Sequence, residues 1–289
     1  MISNLINDTI SNSEITTYNT CQQQHRYAYD LNIQPKEPPL YFYRGEWGHA
    51  ALEVYYKEMQ LGSPVDVCLS TATHILSNEM LSVMAGEPEA FDKLEILTDL
   101  IVLIKEYSDF YRKEPFKILA VEKDFRTELY TGIDYVMRLD LLVEFTEGDF
   151  RGDLAVIDHK FVHNFKNTDE LELDGQLPKY IKTLQANGYR ISKGFFNQIR
   201  HRKDAREKFQ RTRVRTNSIA IDNIWQEQEL TALRINMKTV PVRLMNPYTC
   251  KSCPYAAPCK AELNGDNIDQ MLKANFKKRE HPFKQPEGI

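Results

Sequence analysis

The stretch over residues 154–161, LAVIDHKF, constrains this chain more than any other. Strand alternation puts Leu154, Val156, Asp158 and Lys160 on one side and Ala155, Ile157, His159 and Phe161 on the other. Apolar residues on both sides mean a strand that starts buried inside a sheet and delivers Asp158 and Lys160 side by side at its far end. Burying a carboxylate and an ammonium there is costly unless they pair or hold a metal, and an isolated D-x-K is ordinarily a strand-end salt bridge. The preceding strand-like stretch offers Asp134, Val136, Arg138 and Asp140 on one face, so a second carboxylate can approach Asp158. Two converging carboxylates suit Mg²⁺ or Mn²⁺, whose octahedral oxygen shell is completed by water and substrate phosphate. An adjacent lysine orients the attacking water or offsets charge building on phosphorus. The arrangement suits phosphodiester hydrolysis.

Around this strand the pattern is that of an α/β protein with a mixed sheet. Ser11-Asn12-Ser13-Glu14 fits a capping box, and Ile15, Tyr18, Cys21 and His25 follow at helical spacing, predicting a helix over 13–30 that Pro35, Pro38 and Pro39 close off. Further helices are expected over 46–61, where Leu52, Tyr55, Tyr56 and Met59 recur, and over 66–84 and 88–113. Strands follow over 117–125, 129–145 and 154–161, separated by Thr131-Gly132 and Glu147-Gly148-Asp149, then a helix over 176–187 ending at Gly188 and a strand over 194–199. The expected organisation is one domain over 1–289: a mainly helical part (13–113), a sheet with its helix (115–200), a basic flap (200–216) and a cysteine segment (247–263). A formal charge of −4 excludes a globally basic nucleic-acid binder. No apolar run approaches the roughly 18 residues of a membrane span, and MISNLINDTISNSE lacks the basic start and apolar core of a secretion signal, so a cytoplasmic protein without membrane partners is expected.

Five segments, taken in order, resemble motifs of the PD-(D/E)XK nuclease superfamily, specifically the RecB-type branch that includes the CRISPR-associated exonucleases and AddB-type nucleases. RGEWGHAALEVYY is similar to the branch's upstream histidine motif, ILAVEKDF to its acidic strand, YVMRLDLLVE to its first metal-ligand strand, LAVIDHKF to its D-x-K strand, and DGQLPKYIKTL to its Q-x-x-x-Y signature. The resemblance implies a restriction-endonuclease-like sheet and a metal-dependent DNA nuclease. It makes His49, Asp140 and Asp158 metal ligands, with the backbone carbonyl of His159 a further one and Asp134 the runner-up to Asp140. Lys160 becomes the catalytic lysine. Gln176 and Tyr180, at i and i+4 on one helix face, join the catalytic set, and Glu122 of the acidic strand is a further candidate. Asp158 stands where many relatives have Glu. The activity implied is an exonuclease on single strands or DNA ends in recombination, end processing or phage DNA metabolism, beside a helicase or recombinase. A structure-selective endonuclease is the alternative on the same scaffold, and a silent, cluster-bearing DNA-binding subunit the alternative from another class.

Cys250-Lys-Ser-Cys253-Pro-Tyr-Ala-Ala-Pro-Cys259 brings three thiols together, one short of a tetrahedral set, in a segment whose Pro247, Pro254 and Pro258 favour loop. Tyr18-Asn19-Thr20-Cys21 resembles the place where iron-sulfur members of the branch carry their first cysteine. The resemblance therefore implies Cys21 as fourth ligand of a 4Fe-4S cluster, with zinc the alternative that spacing does not separate. Such a centre would staple residue 21 to residue 250, worth roughly 5 kcal/mol in the chain-entropy picture of crosslinks. Cys68 reads as a buried small hydrophobe. Finally, Arg200, Arg202, Lys203, Arg206, Lys208, Arg211, Arg213 and Arg215 face only Asp204 and Glu207 in their run, which predicts a mobile basic flap gripping DNA phosphates, with Phe209 the candidate for stacking on a base. Lys277, Lys278 and Arg279 form a weaker second patch.

Overall fold

Between Leu40 and Phe110 apolar residues recur at threes and fours, and in the computed structural model this stretch forms three long helices, α1 (Leu40–Gln60), α2 (Val65–Gly86) and α3 (Phe91–Phe110). The structure describes residues 8–87 and 89–279. Pro88, where the last of these helices was expected to begin, lies outside them, as do the first seven residues of the N-terminal segment discussed above. Five strands follow: β1 (Phe116–Tyr130), β2 (Ile133–Phe145), β3 (Leu154–Val162), β4 (Ile191–Arg200) and β5 (Phe209–Val214), with helix α4 (Gln176–Ala186) between β3 and β4. The turn between β1 and β2 falls at Thr131-Gly132, where Gly132 takes φ 78°, so Leu129 and Tyr130 end β1 rather than opening the next strand as expected.

The chain divides into two compact units, one of Met1–Pro39, Arg126–Met137 and Gln226–Ile289, the other of Leu40–Phe125 and Arg138–Trp225. In the second unit β2 pairs with both β1 and β3, and the order continues through β4 to β5. The β2/β3 and β4/β5 pairs are antiparallel (Leu141↔Ile157, Asn197↔Arg211), whereas β3/β4 is parallel (Asp158↔Phe196, Lys160↔Gln198). Parallel neighbours need a crossover, and α4 supplies it. The result is the mixed α/β sheet expected. Its core lies where Leu52, Tyr55, Leu76, Leu97, Leu100 and Ile104 of the three helices meet Leu141, Val143, Ala155, Ile157, Phe195 and Ile199 of the strands. Cys68 is fully buried in that core, as expected.

The first unit begins with a strand, Thr9–Ser11, parallel to the start of β2 (Thr9↔Asp134). Ser11 caps the next helix, Asn12–Thr20, by accepting from the Glu14 N–H, and the Glu14 carboxylate meets the buried His25 ring at 3.1 Å. The helix expected over 13–30 is interrupted at Cys21 and continues as Gln22–His25 and a π-helical turn, Arg26–Asp30. Ile33–Pro35 then pairs antiparallel with Phe276–Lys278. The cysteine segment is not the loop its prolines suggested. It forms helices Pro247–Lys251 and Ala256–Leu263, because Pro247 occupies the first turn of one, where its missing N–H is harmless, and Asn246 caps that turn. Among the described residues no helix is long and apolar enough to cross a membrane.

Candidate metal centre and its basic surroundings

A glycine brings the first candidate ligand, His49, into place. A Cβ on Gly48 would lie 2.4 Å from the Phe161 ring, so any larger residue there would have to displace that ring or α1, and the neighbouring His49 ring meets Phe161 edge-on at 5.8 Å. Gly48→Ala is expected to push α1 off β3 at a cost of about 1–3 kcal/mol, with a matching drop in metal affinity, checked by thermal melts with and without Mn²⁺. Unchanged melts in both conditions would show that the close approach does not hold the site together.

The second candidate ligand, Glu122, sits at a point of backbone strain. Glu122 has φ 43° in the middle of β1, a left-handed conformation that costs a non-glycine residue on the order of 1–3 kcal/mol and turns its side chain off the regular alternation. Its carboxylate stands 3.8 Å from His49 Nδ1, and Asp140 Oδ2 stands 3.6 Å from the same nitrogen. Ligand atoms of His49, Glu122 and Asp140 all lie within 4.8 Å of one another, two hard carboxylate oxygens and one borderline nitrogen, a set that can take Mn²⁺ or Mg²⁺. Asp140 is further fixed by accepting from the His159 backbone N–H at 2.6 Å.

Next to this trio lies the D-x-K pair. Asp158 is buried, with Oδ2 2.7 Å from Lys160 Nζ and Oδ1 accepting from Gln176 Nε2 at 2.9 Å. Lys160 also donates to Gln176 Oε1 at 2.6 Å, and the same amide nitrogen of Gln176 donates to the Tyr180 hydroxyl one turn along α4. The structure thus brings together His49, Asp140, Asp158, Lys160, Gln176 and Tyr180. Glu122, a lesser candidate by sequence, sits in the centre. Asp134, by contrast, belongs to the first unit, where it accepts from Arg126 at 3.3 Å. The His159 ring stacks on Tyr56 with Nδ1 2.9 Å from Asn197 Nδ2, and its buried Nε2 has no hydrogen-bond partner among the described residues.

The charges explain why such a site wants a cation. Burial pushes the Asp140 and Asp158 carboxyls up against the pull of their cationic neighbours, Asp158 to about 6, with Asp140 adding repulsion there. Burial works against a charge on His49, yet Asp140, Glu122 and Asp158 together lift it to about 9. Lys160 is likewise opposed by burial but raised by Asp158, so it stays protonated at neutral pH. In the metal-free molecule the proton on His49 therefore does the work of a cation among three carboxylates.

A sequence model of the PD-(D/E)XK nuclease superfamily matches residues 9–260. The chain belongs to that superfamily. It is a nuclease, an enzyme that hydrolyses nucleic acid, and its acidic trio is a candidate metal site. No curated protein sequence matches it. Among solved structures it is similar to SSO0001, at 17% identity and TM-score 0.43 over 88% of this chain and 86% of that one. It is similar also to a candidate exonuclease from Eubacterium rectale, at 12% identity and TM-score 0.49 over 84% and 87%.

In this nuclease the basic run is not the mobile flap its charge suggested. Residues 209–214 are β5, hydrogen-bonded to β4, and Phe209 packs among Tyr107, Phe110 and Tyr111 instead of standing free for a base. Arg211 is locked in a bidentate, partly buried pair with Glu114 (2.7 and 2.9 Å), Lys208 is held by Glu106 and Lys203 by Glu95 and Asp99. Arg202 contacts Asp204 at 3.0 Å. Arg206, Arg213 and Arg215 are exposed, and Arg200 lies over the Phe165 ring. The Glu114 pair continues inward through Tyr56, Tyr107 and Asn197 to His159, a buried hydrogen-bond chain that no sequence motif announces.

In the first unit Cys21, Cys250, Cys253 and Cys259 line one cavity of about 370 Å³, walled by Tyr27, Leu244 and Met245 among others. Burial and the three neighbouring thiols raise the Cys253 thiol. Cys250 and Cys253 come from the end of one helix and the turn after it, and Cys259 from the next helix.

Proposed function

We propose that this nuclease is a Mg²⁺- or Mn²⁺-dependent deoxyribonuclease, acting as an exonuclease on single strands or DNA ends. The observation that carries the reading is the convergence of His49, Glu122 and Asp140 beside the Asp158–Lys160–Gln176 cluster. Held by that trio, with Asp158 and the His159 carbonyl as further ligands, a divalent ion supplies Lewis-acid polarisation of the scissile phosphate and a more acidic water. The chain's own groups do the rest. Lys160, a cation and not a base at neutral pH, offsets the negative charge that grows on the phosphate. Asp158 and Gln176 fix its ammonium from two sides, and Tyr180 fixes Gln176, so the charge is preorganised. The exposed Arg206, Arg213 and Arg215 offer phosphate contacts through counterion release.

The test is digestion of end-labelled single-stranded and duplex DNA, and of a closed circular single strand, with Mg²⁺, Mn²⁺ or EDTA. Metal-dependent loss of the linear substrates with the circle intact supports the reading. Cutting of the circle would replace the exonuclease with an endonuclease, and DNA binding without cleavage of any substrate would overturn the enzyme.

The cysteine cavity is proposed to hold a 4Fe-4S cluster with a structural role. The support is that Cys21, Cys250, Cys253 and Cys259, a thiolate-only set of the kind that suits iron-sulfur clusters or zinc, line one cavity. Anaerobically purified protein is expected to be brown with a broad visible band. A colourless protein with stoichiometric zinc would reject the cluster.

A further inference from the structure

Beyond the metal centre, the second unit holds a separate cavity of about 240 Å³, beside Arg44, Asp99, Glu106, Arg200, His201 and Lys203. With a water occupying about 30 Å³ of liquid, the space is enough for a phosphate group and its hydration. Its lysines are already neutralised: Lys203 contacts Asp99 at 3.0 Å and Lys208 contacts Glu106 at 2.7 Å. Its arginines are less so: among the described residues neither Arg44 nor Arg200 has a carboxylate at salt-bridge distance, although Glu95 feels the charge of Arg44. Arg44 donates from Nη1 to His201 Nδ1 at 2.9 Å, and because a guanidinium only donates, the ring proton of a neutral His201 sits on Nε2. Arg200 lies flat on the Phe165 ring, 3.8 Å from its centroid. The Nε atoms of both arginines are buried without a hydrogen-bond partner. Buried cationic donors left unpaired cost free energy that an entering anion would recover, and the guanidinium fork matches phosphate oxygens.

The cavity is also in the right place. Arg44 precedes His49 by five residues on α1, roughly 7.5 Å of helical rise. Arg200 pairs with Val162, two residues past Lys160 on β3, roughly 6.6 Å along the strand. Both offsets are within the reach of a few nucleotides of one strand.

We propose that this cavity is a phosphate subsite for the strand being cut, with Arg44, Arg200 and His201 as its donors. The inference rests on the nuclease reading above. Burial, Arg44 and His163 press His201 down to about 4, so it serves as a neutral donor beside two permanent cations.

The test measures binding in EDTA, where hydrolysis plays no part. Labelled single-stranded oligonucleotides with phosphorylated or hydroxyl ends are titrated against the parent and the Arg44→Met/Arg200→Met double variant. The double variant is expected to bind at least about tenfold more weakly, with a salt slope shallower by about 1–2. Equal loss on both oligonucleotides assigns the site to an internal phosphodiester, and loss confined to phosphorylated ends assigns it to a terminal phosphomonoester. Unchanged affinity and slope on every oligonucleotide overturn the proposal. A second measurement needs no variant: inorganic phosphate added to the parent should shift the His201 ring resonances, and no shift at millimolar phosphate also overturns it. A parent that binds phosphate here but cleaves no DNA would sink the nuclease reading alone, whereas a parent that cleaves DNA with no response at this cavity would sink the subsite alone.

Discussion

Lys160→Ala is expected to slow metal-dependent DNA hydrolysis by about 10²–10³-fold, the usual cost of removing one preorganised group that stabilises transition-state charge. The loss should fall on turnover more than on DNA affinity, because the ammonium is already engaged by Asp158 and Gln176 in the free enzyme and gains a partner only when charge builds on the phosphate. The variant leaves Asp158 buried with its Gln176 bond but without its cation, so its carboxyl should move further above 6 and take up a proton. Rates on end-labelled DNA, with circular dichroism to confirm the fold, decide the matter. A folded variant that digests DNA as fast as the parent removes Lys160 from the chemistry.

Metal binding should release about one proton per ion near neutral pH, the proton that His49 holds in the metal-free protein. A histidine with a folded value of about 9 must lose that proton to ligate, so apparent Mn²⁺ affinity should rise about tenfold per pH unit from 7 towards 9 and then level off. Below about 6 Asp158 also takes up a proton and binding should weaken further. The stability signs agree. His49 and Asp158 are both raised in the folded state, so each contributes stability at low pH that is lost as pH rises, Asp158 between its ordinary value and about 6 and His49 between its ordinary value and about 9. Metal-free protein should thus melt lower as pH climbs, and Mn²⁺ should restore most at the alkaline end. Calorimetry in two buffers of different ionisation enthalpy measures the protons. A buffer-independent heat at pH 7.5 would mean that His49 is neutral before the metal arrives.

How much of this could be read along the chain depended on whether the deciding interaction was local. The helices expected over 46–61, 66–84 and 88–113 and the strand over 154–161 follow from periodicity, which is a property of neighbours, although the first of them begins six residues earlier, at Leu40. The cysteine helices run against the proline signal because Pro247 sits in a first turn, where proline is tolerated. The basic run departs from its charge pattern for a reason that is likewise not local. Eight cations in sequence suggest a solvated arm, but Glu114, Glu106, Glu95 and Asp99 are distant in sequence and close in the fold.

By itself the sequence determined that Asp158 and Lys160 leave a buried strand side by side and that Gln176 and Tyr180 share a helix face, since strand and helix periods dictate both. Only the tertiary structure decided that Glu122 completes the trio with His49 and Asp140, that Asp134 does not, and that Arg44 and Arg200 flank a cavity without a salt bridge of their own. Those outcomes turn on one left-handed φ at Glu122, on a helix brought against β3 by the missing Cβ of Gly48, and on which carboxylates reach which cations. Each is a relation between segments far apart in the chain, and no local period encodes it.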